Sequence, residues 1–319
     1  MSDQENIDSV DPVTNRDSVE LTPKEIGERY NELVGKPKKY VSKNEVWSKQ
    51  FPKPCRIDLG KMSVDPAGVQ MLDKVASEMI EGGRFYFGTK YREKAVLFRG
   101  EIFGWKSEEA QGPAYRMLVE KNELGIKMLA AGQLSIALQL LKSAEELSRR
   151  SSIIRLKRER RLKARAITYN NLGCYFKKVR KFSLALQHLL KGLSIEENNG
   201  ACGNPASTHI NICVILSQMS RHTHALEHVK SAIGLLEFAD ENISNGDSSD
   251  LLTIAYFNKG VELEYLHLDS EALRAYGRAK KRAADKLESS HPLSKNIHES
   301  FASLEAKVNL KKNTKNPLK

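Results

Sequence analysis

The segment His224-Ala-Leu-Glu227-His228 is the one stretch of this sequence that matches a catalytic pattern on paper. It reads H-x-x-E-H, an inverted zinc-site pattern in which histidines four residues apart share a helix face and can meet one metal ion. Ala225 and Val229, in the same stretch, hold places in a packing repeat set out below. Neither a third ligand nor a pocket accompanies the match, so the expectation is no metal, no cofactor and no catalytic site. The signatures G-x-x-x-x-G-K-[ST], G-x-G-x-x-G and G-x-S-x-G do not occur, and neither does a kinase signature.

Two other sets of polar residues could bind rather than react. Asn171, Asn211 and Asn258 each stand two residues before a small residue, namely Gly173, Cys213 and Gly260. In front of Gly125 the same place holds Glu123, with Asn122 beside it. An amide side chain carries one acceptor and two donors, so it can hold a peptide unit bidentately without reading its sequence. The alternative is that these amides bond within a helix pair and do nothing else. The second set is RRSSIIRLKRERRLKARA, residues 149–166, where nine bases face the single acid Glu159. Arg155, Lys157, Arg158, Arg160, Arg161, Lys163 and Arg165 form its dense part. Ile153, Ile154, Leu156 and Leu162 make the run amphipathic enough to be helical. Such a density can neutralise an acidic partner with steep salt dependence, serve as a nuclear-localisation stretch, or be a solvated helix extension.

These residues need a scaffold, and it is legible as a repeat. From Gly125, steps of three, twelve, sixteen and nineteen residues reach Met128, Ala137, Leu141 and Ala144. From Gly173 they reach Phe176, Ala185, Leu189 and Gly192, and from Cys213 they reach Leu216, Ala225, Val229 and Ala232. Gly260 gives Leu263, Ala272, Tyr276 and Ala279. Small residues let two antiparallel helix backbones approach, and the large ones fill the adjoining holes. One such pair cannot bury its own apolar face, so pairs stack and share a core. Turns are expected at 130–135, 178–183, 219–224 and 265–270.

Leu124-Gly125 and Leu172-Gly173, followed by Ala and a large residue at this spacing, resemble the tetratricopeptide repeat (TPR). The spacing between small residues exceeds that family's usual length, which resembles the longer kinesin-light-chain-like subtype. His291-Pro292 before a last helix fits the same subtype. The resemblance implies an all-α TPR-like helical-hairpin solenoid of about four repeats plus a terminal helix, covering 115–310. It also implies that Asn171, Asn211 and Asn258 form an asparagine ladder for an extended peptide. The carboxylate clamp of chaperone-binding repeats is not matched, because Asn122, Ile126, Ser207 and Asn211 occupy its places.

Outside the solenoid, residues 1–20 hold six acids against one base and are expected to be disordered. Residues 21–114 read as an irregular region with short helices, one near 22–35 and one from Pro66 to Gly82, with proline-punctuated extended chain between them. The aromatic, glycine-containing stretch 82–105 reads as ordered loop with a short hairpin, and 311–319 as a basic tail. The net charge of +11 suits acidic partners such as tubulin-like tails. Nucleic acid is disfavoured because no aromatics interleave with the basic run. Cys55, Cys174, Cys202 and Cys213 lack C-x-x-C spacing, and no run is long and apolar enough for a membrane span. A cytoplasmic protein-protein interaction scaffold is the leading expectation; a structural cytoskeletal protein, axonemal or microtubule-associated (a cilium component, for example), is the alternative.

Overall fold

Small residues at fixed intervals determine how this chain packs. A Cβ added to Gly125 would sit 2.8 Å from Leu141 Cδ2, one on Gly173 2.5 Å from Leu189 Cγ, and one on Gly260 2.4 Å from the Tyr276 ring. Helix axes can come that close only where the side chain is a hydrogen atom. The residue sixteen positions on is therefore the knob that fills each gap, and Leu141, Leu189, Val229 and Tyr276 are all buried.

The computed structural model describes residues 64–198, 203–242, 248–286 and 291–315. Its helices are α1 (Pro66–Glu81), α2 (Phe85–Phe103), α3 (Glu108–Ala130), α4 (Leu134–Leu147), α5 (Arg158–Lys178) and α6 (Phe182–Asn198). They continue as α7 (Pro205–Gln218), α8 (His222–Asn242), α9 (Ser248–Tyr265), α10 (Asp269–Lys286) and α11 (Pro292–Lys315). No strand occurs among the described residues. Consecutive helices pack as hairpins α1/α2, α3/α4, α5/α6, α7/α8 and α9/α10, with α11 against α10. The all-helical, TPR-like hairpin stack expected from the repeat is thus the fold, with one further hairpin at its N-terminal side. The expectations for residues 1–63, including the acidic 1–20 and the helix near 22–35, lie outside the described residues.

The hairpin turns share one backbone device. Gly132, Arg180, Ser220 and His267 stand at the same place in successive turns, with φ of 74°, 60°, 57° and 60°. The next residue's N–H then bonds back to the helix, from Gln133 to Met128 O at 2.8 Å and from Lys181 to Phe176 O at 2.9 Å. Arg221 to Leu216 O and Leu268 to Leu263 O repeat this at 2.9 Å. A left-handed residue here closes the last helical turn and reverses the chain.

Three expectations are corrected. Residues 82–105 are not a loop with a hairpin, because α2 runs through most of them. Its glycines are contact points rather than breakers: a Cβ on Gly88 would lie 2.6 Å from Ile80 Cγ1, and one on Gly100 2.3 Å from the Trp105 ring. Its charges are consumed inside the protein. Lys121 is 1% exposed and donates to Glu93 Oε1 at 2.7 Å, while Arg92 reaches Asp73 and Glu120. This network ties the first hairpin to the second, and polar residues on the packed side hide the helical period.

The basic run 149–166 is likewise not one helix. Residues 149–157 form a folded connection that tucks Ile154 and Leu156 into the core. Buried Gln111 holds it, donating to Arg155 O at 2.9 Å and accepting from Lys157 N at 2.9 Å. Lastly, the basic tail expected at 311–319 begins as helix, since α11 continues to Lys315.

The turn device carries a test. Gly132→Ala should lower unfolding free energy by about 1 kcal/mol, the cost of a Cβ in left-handed backbone. Ser220→Gly should leave stability unchanged or raise it by a few tenths of a kcal/mol. Urea denaturation reads both, and a neutral Gly132→Ala would count against the strained turn.

Candidate functional site

The first helices of successive hairpins lie side by side, α3 against α5, α5 against α7 and α7 against α9. Together they make one face, and the three asparagines are on it. Asn171 on α5, Asn211 on α7 and Asn258 on α9 are each half-buried. Residues four before and three after them lie on the same stripe. These are Ile167 and Cys174, Ser207 and Val214, and Ile254 and Val261, all half-buried. The face therefore repeats an amide flanked by small or apolar side chains.

The asparagines also bond to one another across hairpins. Asn171 Nδ2 donates to Asn122 Oδ1 at 3.1 Å, and Asn211 Nδ2 donates to Asn170 Oδ1 at 3.0 Å. Asn122, 1% exposed, passes its own amide protons to Thr168 Oγ1 at 2.9 Å and Leu118 O at 2.8 Å. Each donor stands two before the repeat's small residue and each acceptor three before it, one hairpin earlier. By that rule Asn258 should meet residue 210, which is isoleucine, and Asn258 Nδ2 is buried without a partner. The sequence had singled out the donors but not Asn170. Its signal was the Asn170-Asn171 doublet, which pairs to both neighbours. Asn171 and Asn211 thus carry inter-repeat contacts, and each keeps one amide proton and its Oδ1 for other use.

The basic run divides by side. On α5, Lys163 shares the first-helix face with Ile167 and Asn171. Lys157 and Arg160 turn toward α3 and grip Glu108 at 3.4 and 2.8 Å. The hydrogen bond from Arg160 and then that from Lys157 hold this carboxyl below the usual carboxylate range. Arg158, Arg161 and Arg165, at i, i+3 and i+7, point to the opposite side. Arg165 donates to Tyr169 Oη at 2.7 Å, with its guanidinium 5.1 Å from the ring centroid. Burial lowers the pKa of Arg161, and the charges of Arg165, Arg150 and Arg158 add to that shift. Arg155 is exposed on the folded connection.

The H-x-x-E-H residues separate in the fold. His224 and Glu227 are exposed, while His228 turns inward and its Nδ1 lies 2.9 Å from Nδ1 of His209. No spacing in the sequence announces that partner. Among the described residues, no group of three His, Cys, Asp or Glu side chains is placed to hold a metal. Cys213 is buried, and burial together with Glu262 pushes its thiol up to about 12, far from a reactive thiolate. No helix among the described residues is long and apolar enough to cross a membrane.

No protein-family model matches this chain, and no curated protein does. Among solved structures the chain is similar to kinesin-light-chain TPR-like repeats of Podosopora anserina. That match has 14% identity, a TM-score of 0.48, and covers 63% of this chain and 91% of the other. It is also similar to BtubC (BKLC) from P. vanneervenii at 19% identity and TM-score 0.49, covering 70% and 83%. YrrB, a TPR protein with an unusual peptide-binding site, has 12% identity and TM-score 0.39, covering 74% and 100%.

The histidine pair has a pH consequence. Burial, aided by His228, pushes His209 down to about 4 from an ordinary 6.5, and burial lowers His228 as well. The folded protein then binds fewer protons than the unfolded chain in that window, so stability is lost as pH falls from about 6.5 toward 4. Thermal melts should show Tm dropping by several degrees across this range. His209→Gln with His228→Gln should flatten much of that slope. A wild-type Tm that stays level between pH 7 and 4.5 would mean the pair is not held neutral.

Proposed function

We propose that this chain is a non-catalytic adaptor that holds an extended segment of a partner protein along its first helices. The observation that carries this reading is the recurrent stripe on α5, α7 and α9. There, half-buried small or apolar side chains flank Asn171, Asn211 and Asn258 at matching places on successive hairpins. An extended peptide presents an N–H and a C=O on alternating sides, with side chains between them. A row of amides with apolar slots beside them complements that pattern without demanding one sequence. The spare Oδ1 and amide proton of Asn171 and Asn211 would pair with the peptide backbone. Lys163 at one end of the stripe would attract a carboxylate of the ligand. The Arg158, Arg161 and Arg165 side of α5, away from this face, would take a second, acidic partner.

Two variants separate binding from folding. Val214→Lys places a charged chain in the stripe without touching the amide contacts. It should weaken linear peptides selected on this protein by phage display about tenfold or more, at unchanged Tm. Asn211→Ala removes the bond to Asn170 and should cost stability of about 1 kcal/mol in addition to affinity. Failure to select any linear peptide would sink the proposal, as would peptides indifferent to Val214→Lys.

A further inference from the structure

We propose that the outward faces of α5 and α6 form a phosphoryl-binding site for a phosphorylated segment of a partner protein. This deepens the acidic-partner half of the function proposed above and rests on it. Arg165 of α5 and Gln187, Leu190, Lys191 and Ser194 of α6 line one shallow concavity beside Tyr169. The α6 residues fall at i, i+3, i+4 and i+7, so they form a continuous strip. All four are exposed.

The guanidinium here is oriented before any ligand arrives. Arg165 is fixed by its bond to Tyr169 Oη and by its position over the Tyr169 ring. Its remaining N–H groups are left to face the concavity. Tyr169 Oη accepts that bond and so keeps its own proton to donate. Lys191 brings a second positive charge from the facing helix, and Ser194 and Gln187 add neutral donors. Glu145, which lies within electrostatic reach of Tyr169, is already paired with Lys142 at 2.7 Å.

The surrounding charge favours a dianion. Arg161 stands one turn before Arg165, and the charged groups acting on it, Arg165, Arg150 and Arg158, are all basic. A phosphoryl group carries a charge of about −1.5 to −2 and three acceptor oxygens, so it relieves this repulsion more than a carboxylate does. Donors converging from two helices also suit a tetrahedral oxyanion better than a planar one. A nucleic acid would need an aromatic face on which to stack its bases. Tyr169 is 6% exposed and is the one aromatic side chain lining the concavity. Leu190, 45% exposed, offers instead an apolar contact to a neighbouring residue of a polypeptide.

The test uses the full-length protein and a fluorescein-labelled Gly-Ser peptide carrying phosphoserines. The same peptide with glutamates, the unmodified peptide and poly-U RNA serve as the other arms. Fluorescence anisotropy should show the phosphoserine peptide binding about tenfold or more tightly than the glutamate peptide. Arg165→Gln with Lys191→Gln should abolish that preference, and Lys191→Gln alone, on an exposed site, should reduce it with helicity intact. Lys157→Gln with Arg160→Gln should leave it in place, since those charges are held by Glu108. Equal affinity for phosphoserine and glutamate peptides would overturn the phosphoryl site while leaving the acidic-partner reading standing. Tighter binding of poly-U RNA would overturn the choice of ligand. Absence of binding by every acidic probe at low salt would remove both readings.

Discussion

Everything in this fold depends on how closely the two helices of a hairpin approach. At Gly125, Gly173 and Gly260 there is no room for a single methyl group against the facing Leu141, Leu189 or Tyr276. That contact sets the distance and register of each hairpin, and hence the faces left over to meet the next one. At Cys213 the facing residue is the smaller Val229, so a slightly larger side chain is accommodated. The compensation is local, which is why a repeat can vary in sequence while the stack continues.

Once hairpins are fixed, the amides decide how they sit side by side. Asn122 with Asn171, and Asn170 with Asn211, bridge the first helices of neighbouring hairpins. A buried amide must find a partner or lose roughly 1–3 kcal/mol, so these pairs penalise slippage between neighbours. Ile210 breaks the series and leaves Asn258 Nδ2 without a partner. The same face is the one proposed to bind peptide, and under that proposal stability and recognition would draw on the same side chains. The first hairpin is attached by different means, a buried Lys121–Glu93 pair with Arg92 spanning Asp73 and Glu120.

The positive charge of residues 149–166 is a set of unlike environments rather than one patch. Lys157 and Arg160 are offset by Glu108, Lys163 belongs to the first-helix face, and Arg165 lies on the side of α6. Affinity for the acidic partner proposed above would therefore reside on a few residues.

The periodic contacts were determined by the sequence itself, because close helix approach requires a small residue and a filler at a fixed separation. Hairpins from α3 onward and their turns followed from that rule, while the helix from Pro66 was marked by its own start and stop residues and the last helix by His291-Pro292. The helix α2 followed from neither, since its polar residues pair inside the protein and its glycines serve as contacts, so neither apolar period nor breaker signal meant what it usually does. The connection 149–157 was equally hidden, because Gln111, distant in sequence, supplies its hydrogen bonds. Asn171 and Asn211 were visible as a recurrence, but their partners Asn122 and Asn170 were settled by how one hairpin lies on the next. The same holds for His209 and His228, which meet across α7 and α8. Local spacing can state what a helix pair must do. Which polar group finds which partner is decided by side chains brought together from afar, because a buried donor takes whatever acceptor the packing delivers.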